Sequence, residues 1–269
     1  MTVFKSLKRC LTNINYLTIF TLFLLLVLNS LRIEYFENIG LSEFFIRTAS
    51  EVSFLQNNLT RHYMTVLTVI GPLLAMISCS LIYANDYECN MLPCIYVRTN
   101  LKKYHISNMI AVFLSAFLLF FIPLIISYLI SLIACPIHIS LDNMTATPSY
   151  VIEYTNDSKL DLLRIFNPVS FTVIHIIITS FIFSLFACCG YIITMCIKLN
   201  KYISISIIFF CYVFYNVILS KIGYSHFSFF NIIDPYADKI SLSNIGFLLI
   251  IFSLIIIITF YIMLNRRKA

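Results

Sequence analysis

The sequence predicts an all-α, polytopic membrane protein with six transmembrane helices, cytoplasmic N- and C-termini and a re-entrant hairpin before the last helix. Three observations predict it. Of the 269 residues, 60% are hydrophobic and only 11% charged, whereas soluble domains are about a quarter charged. Apolar runs long enough to cross about 30 Å of hydrocarbon recur at about 14–31, 63–83, 107–134, 169–197, 202–220 and 244–264. None alternates with the period of a barrel strand, so each run closes its backbone hydrogen bonds within itself as a helix. The spans leave room for no separate soluble domain, and 1–269 reads as a single transmembrane domain.

The first span follows Lys5, Lys8 and Arg9 and so begins like a secretory signal. It runs into Leu28-Asn29-Ser30-Leu31-Arg32 with no small-residue cleavage step, and is read as a retained helix. In the first outer loop, 32–62, Phe36, Ile39, Phe44 and Phe45 fall on one side of a short interfacial helix. Gly71-Pro72 in the second span and Pro123 in the third are bending points. They serve either as hinges for alternating access or as ordinary prolines of membrane helices. The second outer loop, 135–168, is the most polar stretch, and its segment 151–155 is the one strand-like run. Between spans five and six, residues 227–236 are too apolar for a solvated loop and too short to span. They read as a re-entrant or interfacial hairpin broken at Pro235, or as a span that runs long.

Charge sets the orientation. With the N-terminus inside, the inner segments hold eleven of the eighteen Lys and Arg residues, among them Arg98, Lys102, Lys103, Lys198 and Lys201. Asp86 and Glu88 are the two acidic residues on that side, and the other ten lie outside. Counting Lys and Arg alone favours both termini in the cytoplasm. The net charge of +6 then needs no nucleic acid to explain it. Sequons at Asn58, Asn143 and Asn156 matter only in a eukaryotic secretory route. Usage rich in Ile, Asn, Lys, Phe and Tyr, with five Gly and no Trp, fits an AT-rich bacterial genome, and places the chain in a bacterial cytoplasmic membrane.

Known chemistry is hard to find. The five glycines build no phosphate-cradling loop, so ATP is not bound by this chain in a familiar way. No zinc-protease or nucleophile-elbow motif occurs. The nine cysteines are scattered without metal-ligand spacing and read as small packing residues. The spans lack the buried ionisable groups of a proton path. His175, about two turns into the fourth span, is the one candidate, and it reads as a neutral histidine bonded to a helix neighbour. The energy for any transport is then expected to come from elsewhere.

The polar interruption between spans two and three carries the functional reading. Asp86 and Glu88 follow the second span; Arg98, Lys102 and Lys103 precede the third. If 86–92 begins an in-plane helix, the acidic pair sits at its N-terminus, where the helix dipole favours it. Met91, Leu92, Ile95 and Tyr96 then face the bilayer or the bundle, and Pro93 makes one bent piece or two short ones. Such a knob docks in a groove on a soluble partner, or it merely anchors two helix ends among headgroups.

This arrangement resembles the membrane subunit of an ABC-2 type exporter. That family has six spans, cytoplasmic termini, an acidic residue after the second span, a short coupling helix and a basic residue before the third. Glu88 and Asn90-Met91-Leu92 stand where the family has Glu, a small residue, Thr or Met, and Leu; Cys89-Asn90 replaces its usual Gly. Arg98 stands where an Arg leads to a Lys, here Lys102 or Lys103. The hairpin with Pro235 is similar to the family's outer re-entrant element. The resemblance implies a dimer of membrane subunits, identical or sister chains, driven by two cytoplasmic ATPases that hold ATP and Mg. It implies ATPase coupling through Asp86, Glu88, Met91, Leu92, Arg98, Lys102 and Lys103. A substrate path is expected along uncharged faces near Asn29, Ser78, Ser80 and Asn216, suited to a peptide, lipid or drug. Small members of the family suggest antimicrobial-peptide export or immunity. The alternative is a non-transporting scaffold or immunity protein that occupies a partner in the bilayer.

Overall fold

The computed structural model describes residues 3–39, 48–57, 59–98, 100–136, 163, 167–196, 200–235 and 242–266. Among them, six helices are long and apolar enough to cross a membrane, and no strand occurs. The chain is accordingly a multi-pass membrane protein. Its helices are α1 Val3–Leu11, α2 Ile14–Asn38, α3 Ala49–Val52, α4 Arg61–Ala75, α5 Ile82–Glu88, α6 Leu92–Arg98, α7 Leu101–Ala134, α8 Pro168–Cys196, α9 Lys201–Ile222, α10 Phe229–Ile233 and α11 Leu242–Arg266. Helices α2, α4, α7, α8, α9 and α11 are the six spans. The strand-like segment 151–155, the residues Phe44 and Phe45, and all three sequon asparagines lie outside the described residues.

Local chemistry sets several boundaries. Asn13, Asn100 and Asn200 each cap a span by accepting a backbone N–H two residues on, from Asn15, Lys102 and Tyr202. These caps satisfy donors that a helix start leaves open. Gly223, with φ +89°, ends α9 in the left-handed conformation that glycine tolerates. Hydroxyls inside spans fold back onto carbonyls three or four residues earlier, as Thr18, Thr65 and Ser180 do, which satisfies them where water is absent.

The core is built around α8, with 72% of its most apolar stretch buried, against 22% for α11. Helices α4 and α7 flank it, while α2, α9 and α11 present apolar side chains outward. Close approach requires small residues. A Cβ added at Gly71 would lie 2.6 Å from the ring of Phe183 on α8, the small-residue packing that lets membrane helices meet. Phe183 in turn meets the ring of Phe120 on α7 at a 51° tilt with centroids 4.5 Å apart, an aromatic contact worth about 1 kcal/mol beyond burial.

Pro72 leaves a mark in α4. It removes the N–H that would bond the carbonyl of Thr68. The hydroxyl of Tyr212 on α9 donates to that carbonyl instead, at 2.6 Å. Immediately afterwards the helix widens into a π turn, Met76–Ser80, before continuing as α5. Pro123, by contrast, sits inside an uninterrupted α7. After α9 the chain makes a 3₁₀ turn, Ser225–Phe227, and folds back as α10. Asn216 fixes this return: its side-chain oxygen accepts from Ser228 Oγ at 2.8 Å and Phe230 N at 3.3 Å.

Candidate functional site

The site lies where α4, continued as α5, hands over to α7. The expected in-plane helix carrying the acidic pair at its start is not what forms. Asp86 and Glu88 belong to α5, at the C-terminal end of the helix that prolongs the second span. The macrodipole disfavours anions there by about 0.3–1 kcal/mol each, so both need cations, and both have them. The chain then reverses at Asn90, whose φ of +53° is the left-handed conformation that Asn adopts more readily than other side chains. Met91 N returns to Asp86 O at 3.0 Å, and α6 begins at Leu92. Pro93 does not break this helix. It occupies the first turn, where no intrahelical partner exists for an N–H.

Asp86 is 1% exposed. Both terminal nitrogens of Arg9 donate to its two carboxylate oxygens, the Nη1 bond to Oδ2 measuring 2.9 Å. Tyr104 Oη donates to the same Oδ2 at 2.5 Å. This carboxylate therefore joins three elements: α1, α5 and the first turn of α7. The hydrogen bond that Arg9 donates to Asp86 holds its guanidinium above its already high value, outweighing its partial burial. Ser6 and Ser107 hydroxyls meet at 3.4 Å and extend the seam between α1 and α7. Next to Tyr104, His105 Nδ1 lies 3.0 Å from Tyr191 Oη and ties α7 to α8.

Glu88 is different. Its side chain is 52% exposed and accepts from Lys201 Nζ at 2.6 Å. Lys201 also reaches Asn85 Oδ1 at 3.1 Å, fixing the start of α9 against the end of α5. Between these pinned flanks α6 projects outward. Leu92 is buried as its anchor, while Met91 and Val97 are 55% and 89% exposed beside exposed Pro93 and Cys94. Arg98 ends α6, and its side chain lies outside the described residues. Lys102 is half-buried and Lys103 exposed, in the first turn of α7. Seven sequence-predicted coupling residues thus come to one end of the bundle, in two classes: a buried structural carboxylate and an exposed turn.

The expected path residues do not converge. Ser78 is buried and donates to Ala75 O at 3.0 Å. Asn216 is buried and donates to Tyr212 O at 2.8 Å. Asn29 is exposed and donates to Tyr63 Oη at 3.0 Å. Ser80 Oγ is spent on Met76 O within the π turn. Among the described residues, no three His, Cys, Asp or Glu side chains gather to hold a metal. Sequence reasoning missed Arg9, Tyr104 and Lys201 as members of the site. The signal was present in part: a carboxylate at a helix C-terminus demands a cation, and Arg9 and Lys201 are charges beside membrane helix starts. Compared with protein-family models, with curated proteins and with solved structures, the chain matches none.

Proposed function

We propose that this chain is the membrane-spanning subunit of an ATP-driven exporter of the ABC-2 type it resembles, in a bacterial cytoplasmic membrane with both termini inside. The observation that carries the reading is α6. An exposed turn bearing Met91 and Val97 stands out from the bundle, while its flanks are locked by ion pairs to α1 and α9 and by the Tyr104 hydrogen bond to α7. A partner pressing on such a turn moves spans two, three and five together rather than bending a loop. The partner is a cytoplasmic ATPase that holds ATP and Mg; this chain supplies the lever. A second membrane subunit, identical or a sister chain, completes the transporter, and the return of 223–233 acts as its outer re-entrant element. Ser78 and Asn216 are internal, so the cargo, a hydrophobic or amphipathic peptide, lipid or drug, passes between subunits rather than through one.

That same inward turn of the polar span residues favours the second reading, a scaffold or immunity protein that transports nothing. One experiment separates them. Val97→Asp changes the exposed turn a partner would grip, and Glu88→Lys breaks the pair with Lys201 that couples this turn to α9. The exporter reading expects both variants to insert normally and lose function; normal function in both overturns it.

A further inference from the structure

A second feature lies on the same end of the bundle but on another face. Helices α7, α8 and α11 leave between them a groove of about 360 Å³, lined by Ile110, Phe113, Phe181, Leu185, Ile257 and Phe260 among others. Its lining is apolar apart from Ser253, whose hydroxyl is turned onto Ile250 O at 2.8 Å. Groove residues on α7 run from Ile106 to Leu114, about 12 Å at 1.5 Å per residue. That is most of one leaflet's half of a 30 Å hydrocarbon core.

The mouth of this groove is charged. Helical spacing puts Lys102 four residues and Lys103 three residues before Ile106, so the two straddle the α7 stripe that lines the groove. Their side chains lean toward the helix N-terminus and carry ammonium groups to the headgroup level. Arg9 and Lys201 at this end are spent on Asp86 and Glu88. Among the described residues, no ion pair involves Lys102 or Lys103. An apolar slot one leaflet deep beneath two uncommitted cations matches one ligand class in both parts.

We infer that the α7–α8–α11 groove is a binding site for an anionic phospholipid, one acyl chain in the slot and the phosphate at Lys102 and Lys103. The site requires no ATPase, so it stands or falls apart from the exporter reading. Near a membrane surface each lysine is worth about five-fold in affinity, about thirty-fold for the pair.

The test is native mass spectrometry of the full chain in detergent, titrated with phosphatidylglycerol or phosphatidylcholine carrying identical palmitoyl and oleoyl chains. The expected result is preferential retention of phosphatidylglycerol by about ten-fold or more. Lys102→Gln with Lys103→Gln should remove the preference and leave phosphatidylcholine retention unchanged, with an unaltered size-exclusion profile. Ile110→Trp should fill the slot and lower retention of both lipids. Equal retention of the two lipids, or retention that neither change lowers, overturns the assignment. So does cross-linking of two copies through Ile257→Cys that added phosphatidylglycerol fails to suppress, because a second copy then covers the groove.

Discussion

Asp86 and Glu88 are two residues apart and carry the same charge, yet the structure gives them opposite consequences. Replacing Asp86 by Asn keeps its shape and removes its charge. Of three hydrogen bonds, two from Arg9 and one from Tyr104, at least one is lost because the amide has a single acceptor oxygen, and the rest weaken without the carboxylate charge, about 1 kcal/mol each. Arg9 also keeps its charge without a counter-ion. Its side chain is 38% exposed, so water screens most of that cost, and the net loss comes to about 3–4 kcal/mol. Glu88→Gln weakens one exposed pair and should cost less than about 1 kcal/mol. Thermal unfolding of the detergent-solubilised chain reads the difference. Asp86→Asn should lower the midpoint at least twice as far as Glu88→Gln. Arg9→Met combined with Asp86→Leu should be milder than Asp86→Asn alone, because removing both charges leaves neither stranded. If Asp86→Asn is no worse than Glu88→Gln, or the double variant no milder, the buried carboxylate is not the fastener described.

Other outcomes follow from the same geometry. Tyr212→Phe leaves the Thr68 carbonyl without its donor and should cost about 1–2 kcal/mol; in a Pro72→Ala background, where residue 72 regains an N–H, the cost should fall toward zero, and an equal cost in both backgrounds would refute the role. Gly71→Ala drives a methyl into Phe183 and should destabilise by about 1–3 kcal/mol, partly relieved by Phe183→Leu in the same melting assay. Burial pushes the Cys10 thiol up to about 12, so at pH 8 it is protonated and inert. Exposed Cys94 and Cys89 should take maleimide within minutes at that pH while Cys10 stays unlabelled, as peptide mass spectrometry would read.

The spans were legible because an apolar run of about 20 residues in hydrocarbon has one backbone solution. The expectation of 169–197 meets Pro168–Cys196, and 202–220 meets Lys201–Ile222. The third span begins six residues before the expected 107: Asn100 caps it at Leu101, and Lys102 and Lys103, which suggest a loop, ride on its first turn. The extension of α2 to Asn38 was hidden by Arg32, Glu34 and Glu37, charges that suggest a loop but belong to the helix, Glu34 buried and Glu37 exposed. Helix α1, nine residues long, is amphipathic but lies before the first apolar run among Lys5, Lys8 and Arg9, and it packs on α7. The site was half legible. Its exposed turn follows from polar residues between spans, whereas the Arg9–Asp86 pair joins positions 77 apart that only packing of α1 on α7 brings together. Asp86 and Glu88 were grouped by adjacency. On a helix, residues two apart do not share a face, and that rule separates the buried carboxylate from the exposed one.

The central claim is that α6 is gripped by a soluble ATPase. The most direct measurement is mass spectrometry of what co-purifies with the tagged chain from gently solubilised native membranes, beside the Val97→Asp variant prepared identically. The account predicts a stoichiometric soluble protein with a phosphate-binding loop in the first preparation and its loss from the second, with both chains folded and monodisperse. A folded, monodisperse chain that brings down no ATPase, or one held equally by Val97→Asp, would contradict it.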